Sequence, residues 1–208
     1  MKKIVLASVF AALIIFLSGC LTTLHPIFTE KDIVYDPGLL GSWKTSNGNK
    51  KGIAEITNLA SENTIEIPGN ISSIKQRGYL VINKDSAGNV SSRYIAFLAR
   101  VGKHLYFDYY PAELSTGKKL DDFYAGHLIK MHTAYRVDLF KTVHFELSQL
   151  DGGFLNKLIE EKKIHIRHEI NSDGDIVITA STEELQQYIM KYGDEPGAYL
   201  SEKIIFSK

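Results

Sequence analysis

GYLVINKDSAGNVSSRYIAFLARVGKHLYFDYY, residues 78–110, is the stretch that decides the fold. Three runs rich in β-branched and aromatic residues, 78–83, 92–101 and 103–110, are separated by KDSAGN and by Gly102. Runs of this length with turn chemistry between them read as strand–turn–strand–turn–strand, an antiparallel meander. In the third run alternation sorts the side chains onto two faces. Tyr106, Asp108 and Tyr110 share one, and Leu105, Phe107 and Tyr109 the other.

The same pattern continues on both sides. Upstream, LLGSWKT (39–45) leads into SNGNKKG, where Asn47-Gly48 is a hairpin signal. KGIAEIT (51–57) and NTIEIP (63–68) are further predicted strands, and PGNISSIKQRG (68–78) reads as a loop running into a strand. Downstream, PAELSTGKKLDDFYAG (111–126) is a long loop, followed by strands in LIKMHTAYRVDLF (128–140) and TVHFELSQL (142–150). IHIRHEI (164–170) and DIVITA (175–180) flank the turn NSDGD. Two segments change period. Phe154, Leu155, Leu158 and Ile159 fall on one helical face, as do Leu185, Tyr188, Ile189 and Tyr192. The second stripe is preceded by Ser181 and Glu184 at capping-box spacing and followed by Gly193, a helix stop.

Eight or so antiparallel strands need their edges closed or covered. The expected fold is therefore mostly β: one antiparallel β-barrel-like or strongly curved sheet domain with two short helices late in the chain. The domain spans 38–208, behind a segment 1–19 and a lead-in 20–37.

That first segment has its own chemistry. Lys2 and Lys3 precede an apolar run, Ile4–Leu17, too short for the roughly 20 residues of a membrane-spanning helix. A basic head, a short apolar core and small residues make an export signal. Leu17-Ser18-Gly19-Cys20 resembles the lipobox of bacterial lipoproteins, and Cys20 is the only cysteine of the chain. The resemblance implies that the Cys20 thiol receives a diacylglyceryl group, that signal peptidase II cuts before it, and that 20–37 is a lipidated tether. Two or more acyl chains hold a protein stably at a membrane. Leu21 stands where an Asp would favour the inner membrane, so the resemblance implies the outer membrane if the host is Gram-negative. LHPIFTEKDIVYDPGLLGSW, HLIKMHTAYRV and ITASTEELQQYIMKY together resemble a family of uncharacterised bacterial envelope lipoproteins, which implies the anchor and a single domain but no activity. Gly41-Ser42-Trp43 resembles the Gly-x-Trp of lipocalins, where the Trp closes one end of the barrel; a core tryptophan without that ancestry is the preferred reading of the residues.

Charge narrows the partners. Of 24 basic and 24 acidic residues only Lys2 and Lys3 precede Cys20, so the remainder carries about −2. No basic excess points to nucleic acid, and no polybasic run to a second membrane contact. No cofactor fingerprint, Walker loop or G-x-S-x-G elbow occurs, and no catalytic residue is assigned. Ser72 and Lys75 have S-x-x-K spacing without its partner motifs. His127/His132 and His165/His168 point to opposite strand faces, so no metal site is assigned, and spacing does not show whether His104, His132 and His144 meet from different strands.

The candidate ligand-binding residues are Tyr106, Asp108, His132, Arg136 and His144. Lys130, His132, Arg136 and Asp138 share a face, as do His144, Glu146 and Ser148. Such faces either meet water, with the apolar faces forming the core, or line a cavity mouth where convergent polar groups orient a ligand. Two functions follow: an envelope interaction module that is not an enzyme, with a protein partner, or a lipocalin-like module holding an apolar or amphipathic small molecule.

Overall fold

The computed structural model describes residues 19–62, 69–112, 128–170 and 176–208. The strand expected at 63–68, most of the loop expected at 111–126, the turn expected at 171–175 and the expected export signal up to Ser18 lie outside the described residues. In chain order the elements are β1 (Thr22–Thr23), β2 (Gly41–Asn47), β3 (Lys50–Asn58), β4 (Tyr79–Lys84), β5 (Val90–Val101), β6 (His104–Pro111), β7 (His132–Lys141), β8 (His144–Leu150), α1 (Gly152–Glu160), β9 (His168–Ile170), β10 (Ile176–Ile178), α2 (Thr182–Tyr192) and β11 (Tyr199–Ser207).

Eight of these strands close into an antiparallel barrel. Each strand from β2 to β8 pairs with the next, and β11 seals the ring between β8 and β2. The hairpins turn where Gly permits it. Asn47 faces Lys50 across Gly48-Asn49, and Val101 faces His104 across Gly102-Lys103, with φ of 55° at Gly48 and 59° at Gly102. That backbone region is costly for a residue with a Cβ. The first hairpin is one residue displaced from the expected Asn47-Gly48 centre.

Cross-strand registers fix what points inward. Trp43 faces Ala54, Ile56 faces Val81, Tyr79 faces Ala96, Leu98 faces Phe107, Phe107 faces Tyr135, and Phe145 faces Phe206. These form the lumenal core, in which Trp43, Tyr79, Phe107 and Phe145 are at most 1% exposed. Their rings interlock: Trp43 meets Phe145 edge-on at 4.8 Å, and Phe145 stacks on Phe206 at 4.3 Å. Burying each such side chain is worth about 1.5–3 kcal/mol. Trp43 satisfies its indole N–H on the Leu39 carbonyl, and the Lys208 ammonium lies 4.5 Å over its ring.

Two further apolar clusters lie on the outside of the wall. α1 and α2 cover one, packing Leu155, Leu158, Leu185, Tyr188 and Ile189 against Val101, Tyr106 and Ala134. α2 begins with the expected capping box between Ser181 and Glu184. The other covers Leu80, Ile95, Phe97 and Ala99 with Phe28, Ile33, Leu59 and Ile74.

Four features differ from the sequence reading. Residues 69–77 are a 3-10 helix rather than a loop into a strand, because Ile71 and Ile74, one three-residue turn apart, both pack on the wall. The runs 164–170 and 175–180 contribute only β9 and β10, which lie outside the ring; β10 pairs with β1, and β1 with β7. The sealing strand β11 was not anticipated. Finally, residues 20–37, expected as a tether, are docked on the barrel: Leu21, Thr23, Ile27, Phe28 and Ile33 are buried.

Candidate functional site

The polar faces noted in the sequence lie on the outer side of the barrel wall, because their neighbours Phe107, Tyr135, Leu147 and Phe145 occupy the lumen. They do not line its mouth. Nor do they all meet water: Tyr106, Asp108 and Ser148 are buried under the elements packed outside. The five candidate residues separate into three groups.

Tyr106 and Arg136 face each other across β6 and β7. The Arg136 guanidinium stacks 4.0 Å from the Tyr199 ring, donates from Nε to Asp138 at 2.6 Å and from Nη1 to the Gly193 carbonyl at 2.7 Å. Tyr199 also donates its hydroxyl proton to that carbonyl at 3.0 Å, so in the 2.9 Å contact between the two phenols Tyr106 is the donor. Burial pushes the Tyr106 phenol well above its usual value. Burial also works against the Arg136 charge, but the hydrogen bond that Arg136 donates to Asp138 and its electrostatic interactions with Tyr199, Asp138 and Tyr106 together outweigh it, and the guanidinium is held charged. The group clamps the end of α2 to the wall. Its polar atoms are spent on one another.

His144 belongs to a ladder on β7, β8 and β11. His144 contacts Glu146 at 3.3 Å, Lys203 bridges Glu146 and Asp138, and Ser148 donates to Asp138. Burial favours the neutral Asp138, yet the donors Ser148, Lys203 and Arg136 together lower its pKa.

Asp108 and His132 form the third group. Asp108 is 1% exposed, and both its oxygens accept: Oδ2 from the Ile27 backbone N–H at 2.9 Å, Oδ1 from His132 Nδ1 at 2.6 Å. Because a carboxylate in this state only accepts, His132 carries its proton on Nδ1, which leaves Nε2 without a partner among the described residues. The Tyr110 ring lies 4.9 Å from the imidazole. This pair forms part of the floor of a cleft of about 310 Å³, walled on one side by the lead-in segment at Leu24–Phe28 and on the other by Ile71–Ile74. A second hollow, of about 320 Å³, is lined by Asp36, Gly38, Trp43, Lys141 and Thr142 and holds none of the five candidate residues.

The three histidines from different strands are not gathered. His104 pairs with Asp194, His132 with Asp108 and His144 with Glu146, and no three metal-ligating groups converge among the described residues. Sequence reading found the Asp108 and His132 side of the cleft through strand alternation. It missed the opposite walls, Leu24, Phe28, Ile71 and Ile74, since their role depends on docking far along the chain from β6.

Cys20 carries an exposed side chain, beside Leu21, which is buried. Cys20 itself bridges Asp151 at the start of α1. No described helix is long and apolar enough to cross a membrane. Comparison with protein-family models, curated proteins and solved structures finds no match.

Proposed function

We propose that this chain is a lipid-anchored module of the bacterial cell envelope, processed before Cys20 and held at a leaflet by acyl groups on that residue. One observation supports the reading beyond the lipobox: the Cys20 side chain is exposed where a buried, docked segment begins. With Leu21 and Thr23 fixed to the barrel, an anchor at Cys20 holds the body close against the headgroups, as suits a binding or interaction module working at the membrane face. Labelled palmitate is expected to enter the wild-type protein and not Cys20→Ser, and globomycin is expected to accumulate a precursor retaining residues 1–19. Processing unchanged by globomycin, or equal labelling of both proteins, refutes the anchor.

A second reading, small-molecule binding, draws support from the cleft at Asp108 and His132. In this reading the ligand sits on the outer wall and not in the aromatic-packed lumen, which separates it from a lipocalin-like mode. The proposed location is the cell envelope, and the outer membrane if the host is Gram-negative.

A further inference from the structure

We propose that the external cleft binds a long-chain carboxylate, a single acyl chain with an anionic head, with Lys130 as the head-group cation.

Charge comes first. The cleft carries two acids and one permanently charged base. Glu30 is taken by Arg77, Nη2 to Oε1 at 2.9 Å, and Asp108 is taken on both oxygens by Ile27 and His132. Lys130 has no carboxylate partner among the described residues. Its ammonium donates one long hydrogen bond, 3.3 Å, to the Ala112 carbonyl and lies 5.8 Å over Tyr110, so two of its three N–H groups have no acceptor among the described residues. Lys130 is therefore the cation of the cleft without an ion-pair partner among the described residues, beside an imidazole whose Nε2, unprotonated, can only accept. An anion with oxygen acceptors matches the ammonium. A cationic head would meet Lys130 head-on.

Shape and polarity set the rest of the ligand. Leu24, Phe28, Ile71, Ile74 and Phe97 give an apolar lining to the remainder of the cleft. About 310 Å³ stands at the low end of ligand clefts, which run from about 300 to 1,000 Å³, and suits one chain rather than two. Position favours a membrane source. Leu24 follows Cys20 by four residues, at most about 14 Å of extended chain, so the cleft opens next to the leaflet in which an acylated Cys20 would sit. The source rests on the anchor proposed above; the binding chemistry does not.

Full-length protein in phospholipid nanodiscs, titrated with carboxyl-¹³C dodecanoate and read by ¹³C NMR against empty discs, tests this. Saturable 1:1 binding is expected, with methyl dodecanoate and dodecyltrimethylammonium weaker by about tenfold or more. Lys130→Glu should weaken dodecanoate by at least about the same factor, Lys130→Arg should retain it, and Lys203→Glu, on the separate ladder, should leave it unchanged. Circular dichroism of each variant checks the fold. No saturable signal above empty discs, equal affinity for the methyl ester, or a Lys130→Glu protein that is folded and binds like wild type overturns the proposal. Cys20→Ser should bind dodecanoate as wild type does while losing palmitate label. Binding seen only in Cys20→Ser would mean that the chain's own acyl group fills the cleft, and would also overturn it. Equal palmitate labelling of the two proteins refutes the anchor and leaves the binding result to stand by itself.

Discussion

Replacing Asp108 by alanine removes a side chain that fastens the lead-in segment to the barrel wall at Ile27. Two donors lose their acceptor. The Ile27 N–H belongs to a residue 1% exposed and has no route to water, whereas His132, with its side chain 13% exposed, can turn outward. A hydrogen bond to a charged group contributes about 1.5–3 kcal/mol, and an orphaned buried donor costs about 1–3 kcal/mol. Allowing His132 to recover part of its share, Asp108→Ala should destabilise the protein by about 3–4 kcal/mol. For a domain of this size about 2–4 °C of melting temperature is lost per kcal/mol, so the expected drop is about 6–16 °C. Asp108→Asn separates geometry from charge. Its carbonyl can still accept from Ile27, and its amide can donate to His132 Nδ1 once the imidazole proton moves to Nε2, so the expected loss is about 1–2 kcal/mol. Thermal and urea unfolding followed by circular dichroism give the two values, and amide exchange should show Ile27 losing protection in the alanine variant first. An Asp108→Ala protein within about 1 kcal/mol of wild type, or an asparagine variant as damaged as the alanine one, refutes the reasoning.

Three other perturbations have defined outcomes. At Gly193 an added Cβ would stand 2.5 Å from the Ile189 carbonyl and 3.0 Å from the Tyr106 hydroxyl, so Gly193→Ala should cost about 1–3 kcal/mol in urea unfolding despite an ordinary helical φ. Ser181→Ala removes the side-chain acceptor for the Glu184 N–H and should cost about 1 kcal/mol by the same measurement. Because the Asp138 pKa is lowered in the fold, its contribution is complete above the unfolded value near 4 and is lost as pH falls through the lower folded value. Asp138→Asn should therefore be less stable than wild type at neutral pH, with the gap closing below about pH 4 in a pH series of unfolding curves.

The local grammar of this chain was legible where one strand meets the next. Gly48 and Gly102 announce tight hairpins, and the stripes at Leu155/Leu158 and Leu185/Ile189 announce α1 and α2, because each signal depends on residues a few positions apart. β11 escaped because Ser201, Glu202 and Lys203 break its alternation, and the irregularity between Tyr199 and Lys203 puts a register shift at the same place. The faces of β6 and β7 were sorted correctly, but alternation cannot say which face looks into a barrel. A polar face containing Asp108 resembles one turned to water until its partner, the Ile27 N–H, 81 residues earlier, is in place. The cleft was half legible for the same reason: the floor follows from strand period, while the opposite walls arrive through docking of the lead-in segment and of a 3-10 helix whose three-residue period has few turns in which to show itself.

That β11 seals the ring has a consequence for how the protein is made. Synthesis delivers a chain from its N-terminus onward, so seven staves are present before the eighth, and in that interval β2 and β8 display bare hydrogen-bonding rims beside a half-wrapped aromatic interior. Such rims recruit strands from other molecules. The nascent protein must therefore wait, shielded, until residues 199–207 arrive, and a chain cut short ahead of them is a ring with a gap ready to be filled by a neighbour.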